Sequence, residues 1–168
     1  MAKIIEYNRQ RAVEYAKEFA FKRNPNYLDF DKYGGDCTNF ISQCLFNANG
    51  VDNAKFQPYW FYVSSTNRSP SWTSVEFFYE YLLNNKSQGP VGELCNIKEL
   101  SLGDVIQLKF FGNLLFSHSL LVTKLNYPIR SLSDVFITAH TIDCLDKPVS
   151  NYTFEKIRYI KIKHILST

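Results

Sequence analysis

Long apolar segments are missing from this sequence of 168 residues. No run reaches the roughly eighteen uninterrupted apolar residues that a membrane-spanning helix needs, so we expect no membrane span. The N-terminal stretch MAKIIEYNRQRAVEYAK also lacks the apolar segment of a secretory signal. We therefore expect a cytoplasmic protein, or a secreted one if the sequence is a fragment of a longer chain.

Strong charge and metal-binding patterns are missing too. The formal net charge of +3 is too small to indicate a nucleic-acid or anionic-membrane partner. The four cysteines form no CxxC pair, and no Cys/His pair has zinc-site spacing, so we expect no metal and no other cofactor. A chain of this size does not need disulfides, and we expect free thiols. The sequence does not indicate an oligomeric state.

The sequence shows no internal repeat, low-complexity stretch or linker, which predicts one domain over residues 1–168. Helical periodicity comes first and strand-like alternation later. The patterns predict helices over 8–23, from Asp36 to a stop at Gly50, and from Thr73 to Leu82 with a Thr73–Glu76 capping box. They predict strands over 104–110, 114–123, 135–140 and 156–166. This order predicts an α+β fold, with N-terminal helices packed on a C-terminal antiparallel sheet.

The polar and aromatic stretch from Val51 to Ser71 is predicted to be a surface loop. Its run of four aromatic residues, Tyr59 to Tyr62, is consistent with two arrangements. The rings either line one wall of a groove or pack in the core, and the core is the preferred interpretation.

The stretch YGGDCTNFISQ, Tyr33 to Gln43, places Cys37 at the start of the second predicted helix. With Asp36 as N-cap, accepting a hydrogen bond from the N–H of Thr38 or Asn39, the N–H of Cys37 stays free to stabilise an oxyanion. A helix N-terminus favours the thiolate, although the charge of Asp36 opposes it. Cys37 is therefore either a nucleophile or a small core residue, and this pattern alone leaves both open.

Three histidines are available to activate a thiol. His118 interrupts the apolar stretch LLFSHSLLV, so it is either a structural histidine or a base for Cys37. His140 ends the next predicted strand and is the candidate to orient the imidazole of His118, with Asp143 as its rival. His164 has no polar cluster around it and is interpreted as structural.

Taken together, GGDCTNFISQ resembles the nucleophile motif of the Putative amidase domain family, within the papain-like cysteine hydrolase superfamily. That superfamily includes bacterial cell-wall cysteine peptidases and the cysteine, histidine-dependent amidohydrolases. Further segments are similar to the family in the same order: YNRQRAVEYAKEFAFKRNPNY, SWTSVEFFYEYL, LGDVIQL with FSHSLLVT, and AHTID.

The resemblance implies a papain-like fold and a cysteine-dependent hydrolase of amide (C–N) bonds that works through a thioester. It implies a Cys37–His118–His140 triad and a peptide or other amide substrate, with bacterial peptidoglycan peptides as one candidate class. Such enzymes usually add a side-chain oxyanion donor ahead of the cysteine, and the nearest candidate is Tyr33. Asp36 and Asp143 are further candidate supports of the site. Two alternatives are a catalytically idle papain-like binding module and an acyl- or amidotransferase that forms the same thioester.

Overall fold

The computed structural model describes residues 3–49 and 59–167. Its helices are α1 (Arg9–Phe19), α2 (Cys37–Asn47), the short α3 (Pro70–Thr73) and α4 (Val75–Asn84). Its strands are β1 (Lys3–Ile5), β2 (Gly89–Cys95), β3 (Val105–Lys109), β4 (His118–Leu125), β5 (Val135–Ala139), β6 (Cys144–Pro148) and β7 (Lys156–Ser167). The predicted α+β class is confirmed.

All strands belong to one antiparallel sheet. The long strand β7 pairs with β3 over its first part and with β1 at its end, while β2 pairs with it from Gly89 to Cys95. From β3 the sheet continues through β4 and β5 to β6. Because β5 pairs with β4 only from Leu121 onward, no described strand covers the β5-facing edge of β4 beside His118 and Ser119. The candidate site lies at this opening.

The sheet carries an apolar cluster on each face. The cluster that includes Phe40 and Leu121 lies between the helices and the sheet, and a second cluster that includes Leu120 lies on the opposite face. Side chains alternate between the faces of a strand. His118 therefore shares the face of Leu120, whereas Ser119 points with Leu121 toward the helices.

Three strands differ from the prediction because their local sequences carry little strand signal. Strand β1 has three residues, β2 begins with Gly-Pro, and β6 (CLDKP) contains an aspartate and a proline, which are depleted in strands. The predicted strand over 114–123 begins only at His118, since Leu114 lies in the preceding turn and is 93% exposed. The first helix ends at Phe19, earlier than predicted.

The predicted capping box at α4 is not formed. Thr73 belongs to the separate α3, and the N-cap of α4 is Ser74 without a side-chain capping bond. Glu76 instead accepts hydrogen bonds from the Phe116 N–H at 3.1 Å and from Arg158 at 3.2 Å. Its carboxylate thus ties α4 to the β3–β4 turn and to β7.

Part of the aromatic run from Tyr59 to Tyr62 packs in the core, as the preferred interpretation predicts. Trp60 and Tyr62 are buried, with ring centroids 4.8 Å and 6.0 Å from that of Trp72. Tyr59 is exposed. The predicted helix stop at Gly50 and residues 51–58 of the predicted loop lie outside the described residues.

Three further findings bear on the function classes considered above. All four cysteines are free thiols. Within residues 3–49 and 59–167, none of the helices combines the length and the apolar character of a membrane span. The same part of the chain contains no group of histidine, cysteine or carboxylate side chains arranged to hold a metal ion.

Candidate active site

Cys37 is the first residue of α2 and lies at the open edge of β4. Its Sγ is 3.8 Å from Thr38 Oγ1 and within hydrogen-bonding reach of the Ser119 backbone. Thr38 Oγ1 is itself 3.0 Å from Ser119 Oγ, so the first turn of α2 is fixed against β4. The structure therefore brings the candidate nucleophile next to the residue that follows the candidate base, His118.

Cys37 also borders open space. Its side chain is buried to 6% exposure, yet it lines a cavity of about 390 Å³ together with Gly34, Gly35 and Ser117. Cys44, two turns further along α2, is fully buried in the apolar cluster beneath the helices. Of the two thiols on this helix, Cys37 is the one that a substrate can reach.

The turn before Cys37 needs its two glycines. Gly34 and Gly35 have φ values of 103° and 112°, a conformation that side chains with a Cβ rarely adopt. A Cβ added to Gly35 would lie 3.1 Å from Thr141 Oγ1. The same Thr141 hydroxyl accepts a hydrogen bond from the Asp36 N–H at 2.8 Å. The loop that leads into the nucleophile is thus packed directly on the segment that follows β5.

His118 lies between aromatic rings and a second cavity. Its imidazole is 5% exposed, with ring centroids of Phe110 and Tyr152 each 5.9 Å away. It lines a cavity of about 400 Å³, and Ser117 lines both this cavity and that of Cys37. Among the described residues, no side chain or carbonyl hydrogen-bonds to the His118 ring, and no hydrogen bond joins it to Cys37. Its nitrogens are therefore available to a substrate or to water.

The electrostatics of the pair favour two neutral groups. Burial, with a further contribution from Lys147, lowers the pKa of His118 to about 4, so the imidazole is an unprotonated base at neutral pH. Burial raises the pKa of the Cys37 thiol, and the charge of Asp36 adds to this, while hydrogen bonds from the Ser119 backbone and from Thr38 oppose it. The expectation that the helix N-terminus favours the thiolate stays a prediction, and the burial of the Cys37 sulfur acts against it.

Asp36 occupies the N-cap position, as predicted. Contrary to the prediction, its carboxylate accepts no capping hydrogen bond from the backbone of α2. It accepts hydrogen bonds from the Phe30 N–H at 2.9 Å, from Asn39 Nδ2 at 2.8 Å and from His140 Nδ1 at 2.6 Å. The carboxylate is fully buried, and these partners satisfy it away from the helix axis. The N-terminal N–H groups of α2 are consequently left uncapped by this side chain.

His140 is a partner of Asp36. Its Nδ1 bonds to the Asp36 carboxylate, its Nε2 lies 2.8 Å from the Phe19 carbonyl oxygen, and its ring stacks on Phe40 at a centroid distance of 3.8 Å. Because both ring nitrogens are engaged, His140 makes no hydrogen bond to His118 in this arrangement. A role for His140 in catalysis stays a prediction, and its contacts indicate that it would act through Asp36.

Asp143 and Tyr33 also lie away from the Cys37–His118 pair. The Asp143 carboxylate accepts two hydrogen bonds from Arg23, at 2.8 Å and 3.0 Å, and the same guanidinium lies 3.7 Å from the Asp36 carboxylate. Tyr33 is 72% exposed and does not line the Cys37 cavity. The geometry places Asp143 in the ion-pair network behind the nucleophile loop, and the role of Tyr33 as an oxyanion donor stays a prediction.

The polar residues of the nucleophile motif have structural partners. Four of them lie within α2 and are buried, although they interrupt an otherwise apolar helix: Thr38, Asn39, Ser42 and Gln43. Asn39 Nδ2 donates to the Leu28 carbonyl, Trp72 Nε1 donates to Asn39 Oδ1, Ser42 Oγ donates to the Trp72 carbonyl, and Tyr15 donates to Gln43 Oε1, at 2.7 to 3.0 Å. With the bond of Thr38 to Ser119, these contacts explain why the motif is polar at helix positions that face the interior.

Three residues near the pair were not singled out from the sequence. They are Ser119, whose backbone meets the Cys37 thiol, and Lys147 and Tyr152, which line the His118 cavity. The pKa of Tyr152 is raised by burial and by the neighbouring Cys144, with a contribution from Cys37. Position beside His118 was the one available signal for Ser119, and none marked the other two, because long-range strand pairing brings them to the site.

The fold and this site define an α+β protein with a cavity-lining cysteine at a helix N-terminus, against the strand residue that follows a buried histidine. Residues 6–164 match the family described as Putative amidase domain, and the chain belongs to that family. The chain is also similar to "Uncharacterized protein YhbB" of Bacillus subtilis (strain 168), with 37% identity over 132 residues, 74% of this chain and 40% of that protein. It thus spans well under half of the relative's length. No solved structure matches the chain. The family description indicates hydrolysis of an amide bond.

Proposed function

We propose that the protein is a cysteine-dependent hydrolase of amide (C–N) bonds with a papain-like arrangement, in which Cys37 is the nucleophile and His118 the general base. One observation carries this proposal: Cys37 lines a cavity at an uncapped helix N-terminus, against the strand residue next to His118. The amidase description of the family supports the reaction class.

The chemistry follows from the neutral pair. As the Cys37 sulfur attacks the amide carbonyl carbon, the C–S bond forms and His118 takes the thiol proton. The resulting oxyanion faces the uncapped N–H groups at the start of α2, including that of Cys37. The C–N bond then breaks while His118 returns its proton to the leaving amine, and a thioester remains. Water, deprotonated by His118, hydrolyses the thioester to a carboxylic acid and restores the thiol.

Asp36 and His140 serve this mechanism as positioning residues. Asp36 anchors the nucleophile loop to Phe30 and Asn39, and His140 holds the Asp36 carboxylate from the side of β5. The exposed side chains of Phe77 and Leu115 give the Cys37 cavity an apolar wall. The substrate that we propose is a peptide or a related amide, and bacterial cell-wall peptides are the candidate class that the family resemblance suggests.

The acyl-enzyme can be sought without the natural substrate. We expect p-nitrophenyl acetate to acetylate Cys37 selectively, detected by peptide mass spectrometry, and we expect His118→Gln to slow this step by about 100-fold or more. Cys95→Ser, which changes a half-buried thiol on β2 that lines neither cavity, is the matched control and retains the reaction. Acetylation of all accessible thiols at similar rates, unaffected by His118→Gln, would contradict the proposal and favour an idle binding module. Transfer of the acetyl group to added hydroxylamine in preference to water would indicate the transferase alternative.

A further inference from the structure

The second cavity, beside His118, contains a cation without an anion. Its lining includes Lys147, Tyr152, Asn151 and Thr141, and no carboxylate is among its lining residues. Ser117, the residue before His118, lines both this cavity and that of Cys37, so the two spaces border the same residue. We refer to this space as the Lys147 cavity.

Lys147 is held in place but not neutralised. Its Nζ lies 3.9 Å from the centroid of the Tyr152 ring, a cation–π contact that fixes the ammonium on the cavity wall. Within the described part of the chain it makes no ion pair. The adjacent carboxylate of Asp146 is already engaged, by Lys17 at 3.4 Å and by the Thr123 hydroxyl at 2.7 Å. The field of Lys147 reaches His118, because it helps to keep that imidazole unprotonated.

The position of Lys147 relative to the reacting atoms indicates which portion of a substrate would lie near it. His118 is the group that protonates the leaving amine in the mechanism above, so the amine portion of the substrate must lie on the His118 side of Cys37. That side opens into the Lys147 cavity. A cavity with one uncompensated positive charge and the side-chain amide donor of Asn151 suits an anionic group.

We propose that the Lys147 cavity binds a carboxylate on the amine portion of the substrate, so that the enzyme cleaves amides whose leaving group is an amino acid or a peptide with a carboxylate near the scissile bond. This inference rests on the proposed function and extends it to substrate class. Lys147 is the specificity-determining residue.

Two alkylating probes test the charge preference directly. N-iodoacetylglycine carries a carboxylate on the amine side of an amide, and N-iodoacetylglycinamide is its neutral counterpart. Each alkylates Cys37 by forming a C–S bond with loss of iodide, and the thiol proton passes to His118. We expect the ratio of the two rates at Cys37 to favour the anionic probe. In Lys147→Gln this ratio should fall by about 3- to 10-fold, and in Lys147→Arg it should be retained.

Lys124→Gln is the matched control, since Lys124 also makes a cation–π contact, 4.7 Å from the Phe136 ring centroid, but does not line the cavity. Its rate ratio should equal that of the unmodified protein. Raising the salt concentration should shrink the preference in the unmodified protein, which tests the charge effect even if Lys147→Gln does not fold. A ratio that is unchanged in Lys147→Gln, or insensitive to salt, overturns this inference. Slow labelling by the neutral probe that is indifferent to His118→Gln would instead refute the proposed function.

Discussion

The buried, neutral state of His118 should make the protein less stable in mild acid. The native pKa of about 4 lies well below the ordinary value of 6.5 that the unfolded chain has. Between these two values the unfolded state binds the proton more strongly than the native state does. The protein therefore loses stability progressively as the pH falls from about 6.5 to about 4, because protonation of His118 favours the unfolded state.

The magnitude follows from the same two values. At about pH 7.5 both states are unprotonated and the effect is close to zero, whereas at about pH 5 the unfolded state is favoured by about 2 kcal/mol. Lowering the pH further, below the native pKa, brings the total to about 3 kcal/mol. His118→Gln keeps a side chain of similar size without a titrating group, so its free energy of unfolding lacks this contribution from histidine protonation.

Urea unfolding at the two pH values measures the effect as a double difference. Acid also acts on carboxylates, but that contribution is common to both proteins and cancels. We expect the unmodified protein to lose about 2 kcal/mol more than His118→Gln between about pH 7.5 and about pH 5. His164→Gln, which changes a half-buried histidine outside the site, should behave like the unmodified protein. Equal losses in the unmodified protein and in His118→Gln would refute the buried, neutral His118.

The loop before the nucleophile supports two further predictions. Asp36→Asn should lower the free energy of unfolding by about 3 kcal/mol, because it removes a fully buried charge that accepts hydrogen bonds from three donors. Asp143→Asn should lower it by about 1 kcal/mol or less, because the Asp143 carboxylate is partly exposed. Similar losses in the two variants, measured by urea unfolding, would contradict the role given to Asp36. Gly35→Ala should destabilise the protein by about 1 kcal/mol more than Gly112→Ala, since both have positive φ but only Gly35 faces Thr141 closely. Equal effects would show that the Thr141 contact carries no strain.

The local sequence patterns predicted one helix start and three strands of the fold. Helix α2 begins at Cys37, where the apolar periodicity starts, and β3, β5 and β7 lie within or close to the predicted ranges. The position of Cys37 at a helix start and of His118 on a strand followed from the same patterns. The strands that were missed, β1, β2 and β6, depend on their pairing partners for strand structure, which a single sequence does not reveal.

The partners of the site residues could not be predicted, because they are far apart in the chain. A buried carboxylate at an N-cap position ordinarily serves its own helix, but Asp36 instead meets His140, 104 residues away in sequence. Because Asp36 and the Phe19 carbonyl engage both ring nitrogens, His140 makes no hydrogen bond to His118 in the described structure. The cation of Lys147 reaches the site because β6 pairs with β5, and β6 itself carries little strand signal. Local residue type indicated the chemistry of the pair, and the sheet determines its surroundings.

The central claim is that His118 activates Cys37, and the pH dependence of Cys37 alkylation by iodoacetamide tests it most directly. Cys95 is an internal reference, since it is half-buried, carries no histidine partner and has a pKa raised by burial to about 11. Its rate should rise about tenfold per pH unit across the neutral range, as expected for a thiol that reacts only as its thiolate. Through general-base assistance from a histidine that stays neutral, Cys37 should react at a nearly constant rate between about pH 5.5 and 8, faster than Cys95 by about 100-fold at neutral pH. His118→Gln should remove that plateau. A Cys37 rate that rises in parallel with that of Cys95, and that is the same in His118→Gln, would contradict the account.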